Sequence, residues 1–217
     1  MINLSMVMPT MNEEGAIKKV IEDIKKNTGQ YNTEIIIADS STDNTPSIAE
    51  DMGVRVIKVP VEGPGNALIE GLKQSKGEIV ITADCDDTYP MDSINLFINK
   101  WQEGFDFVNG SRMKHLQGSM PIVNQFGNWF FAFLIKNLYS VPVKDVATGM
   151  RLFTRDLIDS NNWEMNYSFW IEVLIKAQKN GYRIAEIDID YRPRIGETKL
   201  NRMRSGLSFL KCIMKYL

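Results

Sequence analysis

In Ile79-Val80-Ile81-Thr82-Ala83-Asp84-Cys85-Asp86-Asp87-Thr88-Tyr89-Pro90 the chain passes from core to charged surface within a few residues. The run from Ile79 to Ala83 has the composition of a buried strand, and it stops at carboxylates, a hydroxyl and a proline. In open α/β sheets ligands bind beyond the carboxyl ends of the strands, so acids at such an end face a crevice. Asp84 and Asp86 are two positions apart, and charges that close repel unless a cation or a proton lies between them. Mg²⁺ or Mn²⁺ suits the pair, because these ions take one or two carboxylates and complete their shell with water and phosphate oxygens. The same residues also suit a solvated turn, with Pro90 fixing φ.

Upstream, Ile2 to Met8 reads as a first strand. Pro9-Thr10-Met11-Asn12-Glu13-Glu14-Gly15 then leads into a helix with Ile17, Val20, Ile21 and Ile24 at helical spacing. Asn12, Glu13 and Glu14 suit either a helix N-terminus, whose dipole favours acids, or contacts to a nucleotide. A second strand, Glu34 to Ala38, ends in Asp39-Ser40-Ser41-Thr42-Asp43-Asn44-Thr45, and a helix follows from about Pro46 to Met52. A third strand, Val54 to Val59, precedes Gly63-Pro64-Gly65 and a helix over Ala67 to Gln74. These glycines permit close backbone approach to a ligand or simply make a turn. Alternating strands and helices imply a mostly parallel central sheet flanked by helices, with acidic loops on one edge. No G-x-G-x-x-G follows the first strand, which disfavours a dehydrogenase-type dinucleotide fold.

Downstream, a helix is expected over Met91 to Gln102 and a strand over Phe105 to Asn109, followed by Gly110-Ser111-Arg112. Arg112 is either a clamp for paired phosphate oxygens or an exposed arginine. Trp129 to Leu138 is apolar nearly all round, as befits a core helix or a membrane-facing one. Phe169 to Gln178 reads as a helix, with Glu172 either facing a cleft or favouring the helix start, and Arg183 to Ile189 as a strand. Arg192, Arg194 and Lys199 then crowd a glycine-containing loop able to neutralise a diphosphate. Leu207, Leu210, Met214 and Leu217 align on a last helix, for which the lipid interface and the sheet compete. His115 stands in a polar stretch with no partner at ligand spacing.

With 217 residues, 44% of them apolar, the chain suits one sizeable domain. The apolar run Trp129 to Ile135 falls far short of the ~20 residues that span a bilayer. No basic-then-apolar leader opens the chain, so a cytoplasmic location is expected. Its two cysteines form no disulfide framework, and Cys85 reads as a small filler. A net charge of -2 argues against nucleic-acid binding, although the tail from Thr198 carries basic residues and no acid.

Seven pieces in order, Met8 to Glu14, Asp39 to Thr45, Gly65 to Gly71, Ala83 to Pro90, Gly110 to Arg112, Asp145-Val146-Ala147-Thr148-Gly149-Met150-Arg151 and Arg194-Ile195-Gly196-Glu197-Thr198-Lys199-Leu200, resemble the family 2 inverting glycosyltransferases of the GT-A fold. The nearer likeness is to the dolichyl-phosphate mannosyltransferase and polyprenyl-phosphate glycosyltransferase branch. The resemblance implies one GT-A domain over 1–217, with 201–217 a candidate interfacial helix at the inner membrane face. It implies a nucleotide pocket lined by Pro9, Asn12, Glu13 and Asp39, with Gly65 and Arg112 as further candidates. Asp84 and Asp86 become the Mg²⁺ or Mn²⁺ pair, and Thr88 occupies the position where relatives often carry a glutamine ligand. Asp145 is placed near the acceptor, first as a positioning group, while Arg194 and Lys199 face the departing diphosphate. Pro64 and Gln125 stand where relatives often carry basic residues. The expected reaction moves a sugar from a UDP- or GDP-linked donor to a polyprenyl phosphate. The alternatives are a saccharide or other hydroxyl acceptor, for which Asp145 must act as base, or a non-catalytic sugar-nucleotide-binding protein. A nucleotidyltransferase is disfavoured because its glycine- and arginine-rich signature is absent.

Overall fold

A computed structural model describes residues 1–116, 118–164, 166–195 and 202–217. The first half alternates β1 (Asn3–Thr10), α1 (Ile17–Thr28), β2 (Asn32–Asp39), α2 (Thr45–Asp51), β3 (Arg55–Lys58), α3 (Pro64–Gln74) and β4 (Ile79–Thr82). A single 3-10 turn at Met91–Ser93 opens α4 (Ile94–Gln102), followed by β5 (Phe107–His115) and α5 (Ile122–Tyr139). Then come β6 (Arg151–Thr154), α6 (Arg155–Asp159), α7 (Phe169–Lys179), β7 (Ile184–Asp190) and α8 (Arg202–Lys215).

The strands form one seven-stranded sheet in the order β3-β2-β1-β4-β6-β5-β7. β6 runs against both of its neighbours, and the other pairings are parallel. Burial on both faces explains the near-continuous apolar runs of β1 and β4. Successive side chains point to opposite faces. Leu4, Met6, Met8, Ile35, Ile37, Ile79 and Ile81 pack with α1 and α4, whereas Val7, Ile36 and Val80 pack with α3, α5, α7 and α8.

The sequence pattern anticipates β1 to β4 and β7 to within a few residues. It does not anticipate β6 and α6. Four residues opened by an arginine carry no readable alternation, and Arg151 is nonetheless fully buried. β5 runs on to His115 instead of stopping at Asn109, because Gly110 and Ser111 keep pairing with Ile187 and Asp188. A Cβ on Gly110 would meet Ile189, Phe97 and the Met150 carbonyl at 2.8–2.9 Å, so the glycine lets the strand continue through a crowded place. His115 thus ends a strand and does not lie in a loop. α3 starts at Pro64, earlier than Ala67, since proline at the first helical position sacrifices no needed N–H. α5 likewise begins at Ile122, well before the aromatic run.

Gly65 packs its backbone against the loop ahead of α7. A Cβ there would lie 1.8 Å from the Asn166 carbonyl oxygen, which is backbone and cannot swing aside. Gly65→Ala is expected to cost about 1–3 kcal/mol of overpacking strain, read as a lower urea midpoint at unchanged slope.

Candidate functional site

β1, β2 and β4 end on one rim of the sheet, and β6, running the other way, begins there, with Arg151 paired to both Thr82 and Asn109. Topology alone therefore gathers the segments after Thr10, Asp39 and Thr82, the loop before Arg151 and the segment after β7 at one edge, where open α/β sheets bind ligands.

On the β1–β2 side, Thr10 Oγ1 donates to buried Asp39 Oδ1 at 2.8 Å. Asn12 adopts a left-handed backbone, φ 55°, which asparagine tolerates better than most residues. Its N–H donates to Ser41 Oγ and its Oδ1 accepts from Thr42 N–H, each at 2.8 Å. Glu13 N–H donates to Thr45 Oγ1 at 2.8 Å, and Glu14 Oε2 accepts from Asn44 N–H at 3.1 Å. The two loops after β1 and β2 are thus sewn together, with Pro9 in β1 opposite Ala38.

At the end of β4, Thr82 Oγ1 donates to the Gly149 carbonyl at 2.7 Å and Tyr89 Oη accepts from Gly149 N–H at 2.6 Å. A Cβ on Gly149 would stand 3.0 Å from both carboxylate oxygens of Asp84, so a side chain there would crowd that carboxylate. Burial, and next the neighbouring charge of Asp86, raise the Asp84 pKa to about 7. Asp86 is 1% exposed. Its Oδ1 accepts from Thr88 N–H at 3.1 Å and Thr88 Oγ1 at 2.5 Å. Arg194 Nη2 lies 2.5 Å from Oδ2 but off the line of a hydrogen bond, and that buried oxygen has no hydrogen-bond donor among the described residues. Burial opposes the charge of Arg194, yet Asp86, Asp84 and Glu13 hold its pKa above the usual arginine value. Arg192 N–H donates to the Thr88 carbonyl and Ile195 N–H to the Asp86 carbonyl, each at 3.0 Å. Lys199 lies outside the described residues.

Asp145 is fully buried and paired with Arg112, whose Nε and Nη2 approach its two oxygens at 2.7 and 2.9 Å while its N–H donates at 3.0 Å. Arg112 also stacks 5.0 Å over the Tyr191 ring. The guanidinium therefore spends its fork on Asp145, where the sequence had suggested a phosphate clamp. Burial alone would raise the Asp145 pKa, but Arg112 and the backbone N–H groups outweigh it and hold the carboxyl below its ordinary value. The loop around it is held from every side. Glu186 Oε1 accepts from Asp145 N–H at 3.1 Å, Asn109 Nδ2 donates to its carbonyl at 2.7 Å, and Asn128 Oδ1 accepts from Val146 N–H at 2.9 Å. Arg151 Nη2 donates to the Val146 carbonyl at 2.8 Å. Glu172 faces protein instead of a cleft, taking Tyr216 Oη at 2.7 Å and Lys176 Nζ at 2.9 Å. Asn128 and Glu186 escape a sequence reading, Asn109 enters it only as a strand end and Gly149 only within the resemblance. The available signal is faint, such as a lone amide within the apolar face of α5.

Among the described residues no three histidines, cysteines or acids gather to cage an ion. Asp86 Oδ2, buried without a donor, beside the glycine-cradled carboxylate of Asp84, fits instead an ion that draws its other ligands from substrate. Residues 5–161 match the family described as Glycosyl transferase family 2. The chain belongs to this family. It is 40% identical over 213 residues to the dolichyl-phosphate hexose transferase of Haloferax volcanii, covering 98% of this chain and 93% of that protein. It is 34% identical over 212 residues to the low-salt glycan biosynthesis hexosyltransferase Agl6 of the same organism, covering 94% of this chain but only 51% of the relative. Among solved structures, glucosyl-3-phosphoglycerate synthase from Mycobacterium tuberculosis, in complex with Mn²⁺, UDP and glucosyl-3-phosphoglycerate, superposes at TM-score 0.79 with 22% identity, covering 99% of this chain and 80% of that one. Mannosyl-3-phosphoglycerate synthase from Rubrobacter xylanophilus gives 0.80 at 18%, with 99% and 73% covered. These likenesses establish the GT-A fold of this family 2 glycosyltransferase.

Asp145→Asn leaves the buried Arg112 charge without its partner and is expected to cost about 3–5 kcal/mol in denaturant unfolding, with part recovered in the Arg112→Met/Asp145→Asn double variant. Because the folded pKa of Asp145 lies below the unfolded one, the pair's contribution is complete above about pH 4 and is lost as the pH falls through the folded value.

Proposed function

We propose that this glycosyltransferase moves a hexose from a nucleoside diphosphate to a polyprenyl phosphate, with inversion at the anomeric carbon, while lying peripherally on the inner membrane face. The observation that carries this reading is an acidic rim built next to a large unpartnered apolar surface. On α5, Ile122 is 82% exposed, Phe126 65% and Trp129 59%, and on α8 Met203 is 80% exposed. Phe126, Trp129 and Phe133 form a ladder of rings at 5.8 and 5.9 Å, and Phe131 meets Phe209 edge-on at 5.1 Å, joining the two helices. No helix among the described residues is long and apolar enough to cross a membrane, so the surface suits lying in the interface. Lys211 and Lys215 flank it on α8.

Asp84 and Asp86 would hold the Mg²⁺ or Mn²⁺, with Thr88 buttressing Asp86. Once bound, the ion supplies Lewis-acid stabilisation of the leaving diphosphate. Pro9, Asn12, Glu13 and Asp39 would line the nucleotide pocket, and Arg194 and Lys199 would add positive charge to the phosphates. Gly65 would act one step removed, keeping the loop before α7 close. Arg112 orients Asp145. A carboxyl held below its ordinary pKa is a poor proton acceptor, which favours a phosphate acceptor, already ionised near neutral pH, over a hydroxyl that needs a base. The name of one relative, the dolichyl-phosphate hexose transferase, supports the same choice, and that of the second, a hexosyltransferase, supports the hexose.

Incubation with Mn²⁺, a panel of radiolabelled sugar nucleotides and a short polyprenyl phosphate should deliver label to the organic phase. Asp86→Asn should reduce it by about 10²-fold or more without loss of fold. Label appearing only in an aqueous glycan product would refute the lipid acceptor. Separately, replacing Phe126, Trp129 and Phe133 by serine should weaken co-sedimentation with anionic vesicles by roughly tenfold or more while leaving the melting curve in place.

A further inference from the structure

The acidic pair already faces a cation. Arg194 Nη2 lies 2.5 Å from Asp86 Oδ2 and its Nη1 lies 3.9 Å from Glu13 Oε1. The backbone that carries this arginine is laced in place. On either side of Arg194 in the chain, Arg192 N–H and Ile195 N–H donate to the carbonyls of Thr88 and Asp86, each at 3.0 Å. The Asp86 side chain is 1% exposed while that of Arg194 is 27% exposed, so the arginine approaches from the open side, the side from which a ligand arrives. The oxygen it covers is the one left without a hydrogen-bond donor, whereas Oδ1 is occupied by Thr88.

We propose that Arg194 is a placeholder cation that makes divalent-ion binding at Asp84 and Asp86 conditional on the nucleoside diphosphate. The inference rests on the reading of that pair as the metal site. An ion arriving alone must take an oxygen from a guanidinium already neutralising it, and then leaves two positive charges side by side. A diphosphate changes the balance, since its oxygens offer the guanidinium stronger charge-assisted partners and free Asp86 Oδ2 for the ion. Ion and nucleotide therefore enter as a unit, each raising the other's affinity by the same factor.

The test is Mn²⁺ binding to the full chain, followed by the paramagnetic resonance of the free ion, without nucleotide, with UDP and with GDP. Wild type, Arg194→Gln and Arg194→Lys are compared after thermal melts establish their folds. Wild type should bind Mn²⁺ weakly alone and more tightly with one of the nucleotides. Arg194→Gln should bind Mn²⁺ alone about tenfold more tightly, and the enhancement by nucleotide should shrink by a comparable factor. Arg194→Lys, which keeps the charge but not the fork, should fall between them and carries the comparison if the glutamine variant melts early. Equal or weaker Mn²⁺ binding by both variants, with nucleotide still tightening the ion in wild type, overturns the placeholder and leaves the metal site standing. Wild type that retains no Mn²⁺ under any condition, and matches Asp86→Asn, removes the metal site and the placeholder together.

Discussion

Two carboxylates at the end of a buried strand must be neutralised, and much of the rim is arranged around that requirement. β4 is buried on both faces and laddered to β1 and β6, so its register allows little play. Asp84 and Asp86 follow directly from that strand, and burial, then the charge of Asp86 beside it, disfavour the charge of Asp84. What compensates is local. Thr88 caps one oxygen of Asp86, Arg194 stands against the other, and Gly149 gives up its side chain so that Asp84 keeps its position. Like charges crowded in this way cluster at functional sites, where their compensation can be exchanged for a ligand.

The same logic, one loop further, holds Asp145. Its carboxylate, carbonyl and N–H each have a partner on one of two neighbouring strands: Arg112 and Asn109 on β5 and Glu186 on β7. Beneath the loop, Arg151 holds the Val146 carbonyl while stacked over Trp170 at 5.4 Å. A residue that must move protons freely gains little from such confinement, whereas one that must stay put gains much. The geometry therefore accords with a site that works by placement of charge.

The sequence is informative where physics is local and silent where it is not. Strand β4 and the acids after it are legible because burial demands an apolar run and its end demands a change of character. The resemblance to family 2 likewise stands on short motifs set by single loops. Nothing in the order of residues marks Arg151 as buried, because β6 slots between β4 and β5 through pairings made by residues far apart in the chain. Arg112 is left open between a phosphate clamp and an exposed arginine because nothing in the order of residues reveals that Asp145 will meet its fork. Glu172 reads equally as an acid for the cleft or as one favouring the helix start, and α7 has it in its first turn, with Tyr216 of the chain end brought to it. Each of these positions concerns a buried ion or its partner, where the choice depends on a neighbour that only the tertiary structure supplies.

α5 ties these strands of argument together. A solvated helix that exposes Ile122, Phe126, Trp129 and Phe133 invites association unless something apolar covers it. Yet the opposite side of the same helix carries Asn128, whose amide donates to the Lys144 carbonyl at 2.9 Å and accepts from Val146 and Ala147 N–H at 2.9 and 3.2 Å. An amide in an apolar face is costly unless all its groups are satisfied, and here the satisfaction comes from the loop bearing Asp145. A helix whose outer face suits a lipid surface is thus joined, through one side chain, to the loop proposed to meet the acceptor. The position of the surface contact and the position of Asp145 are set by one rigid element, so a polyprenyl phosphate entering along the apolar face would find its headgroup delivered to the rim without a separate guiding motion.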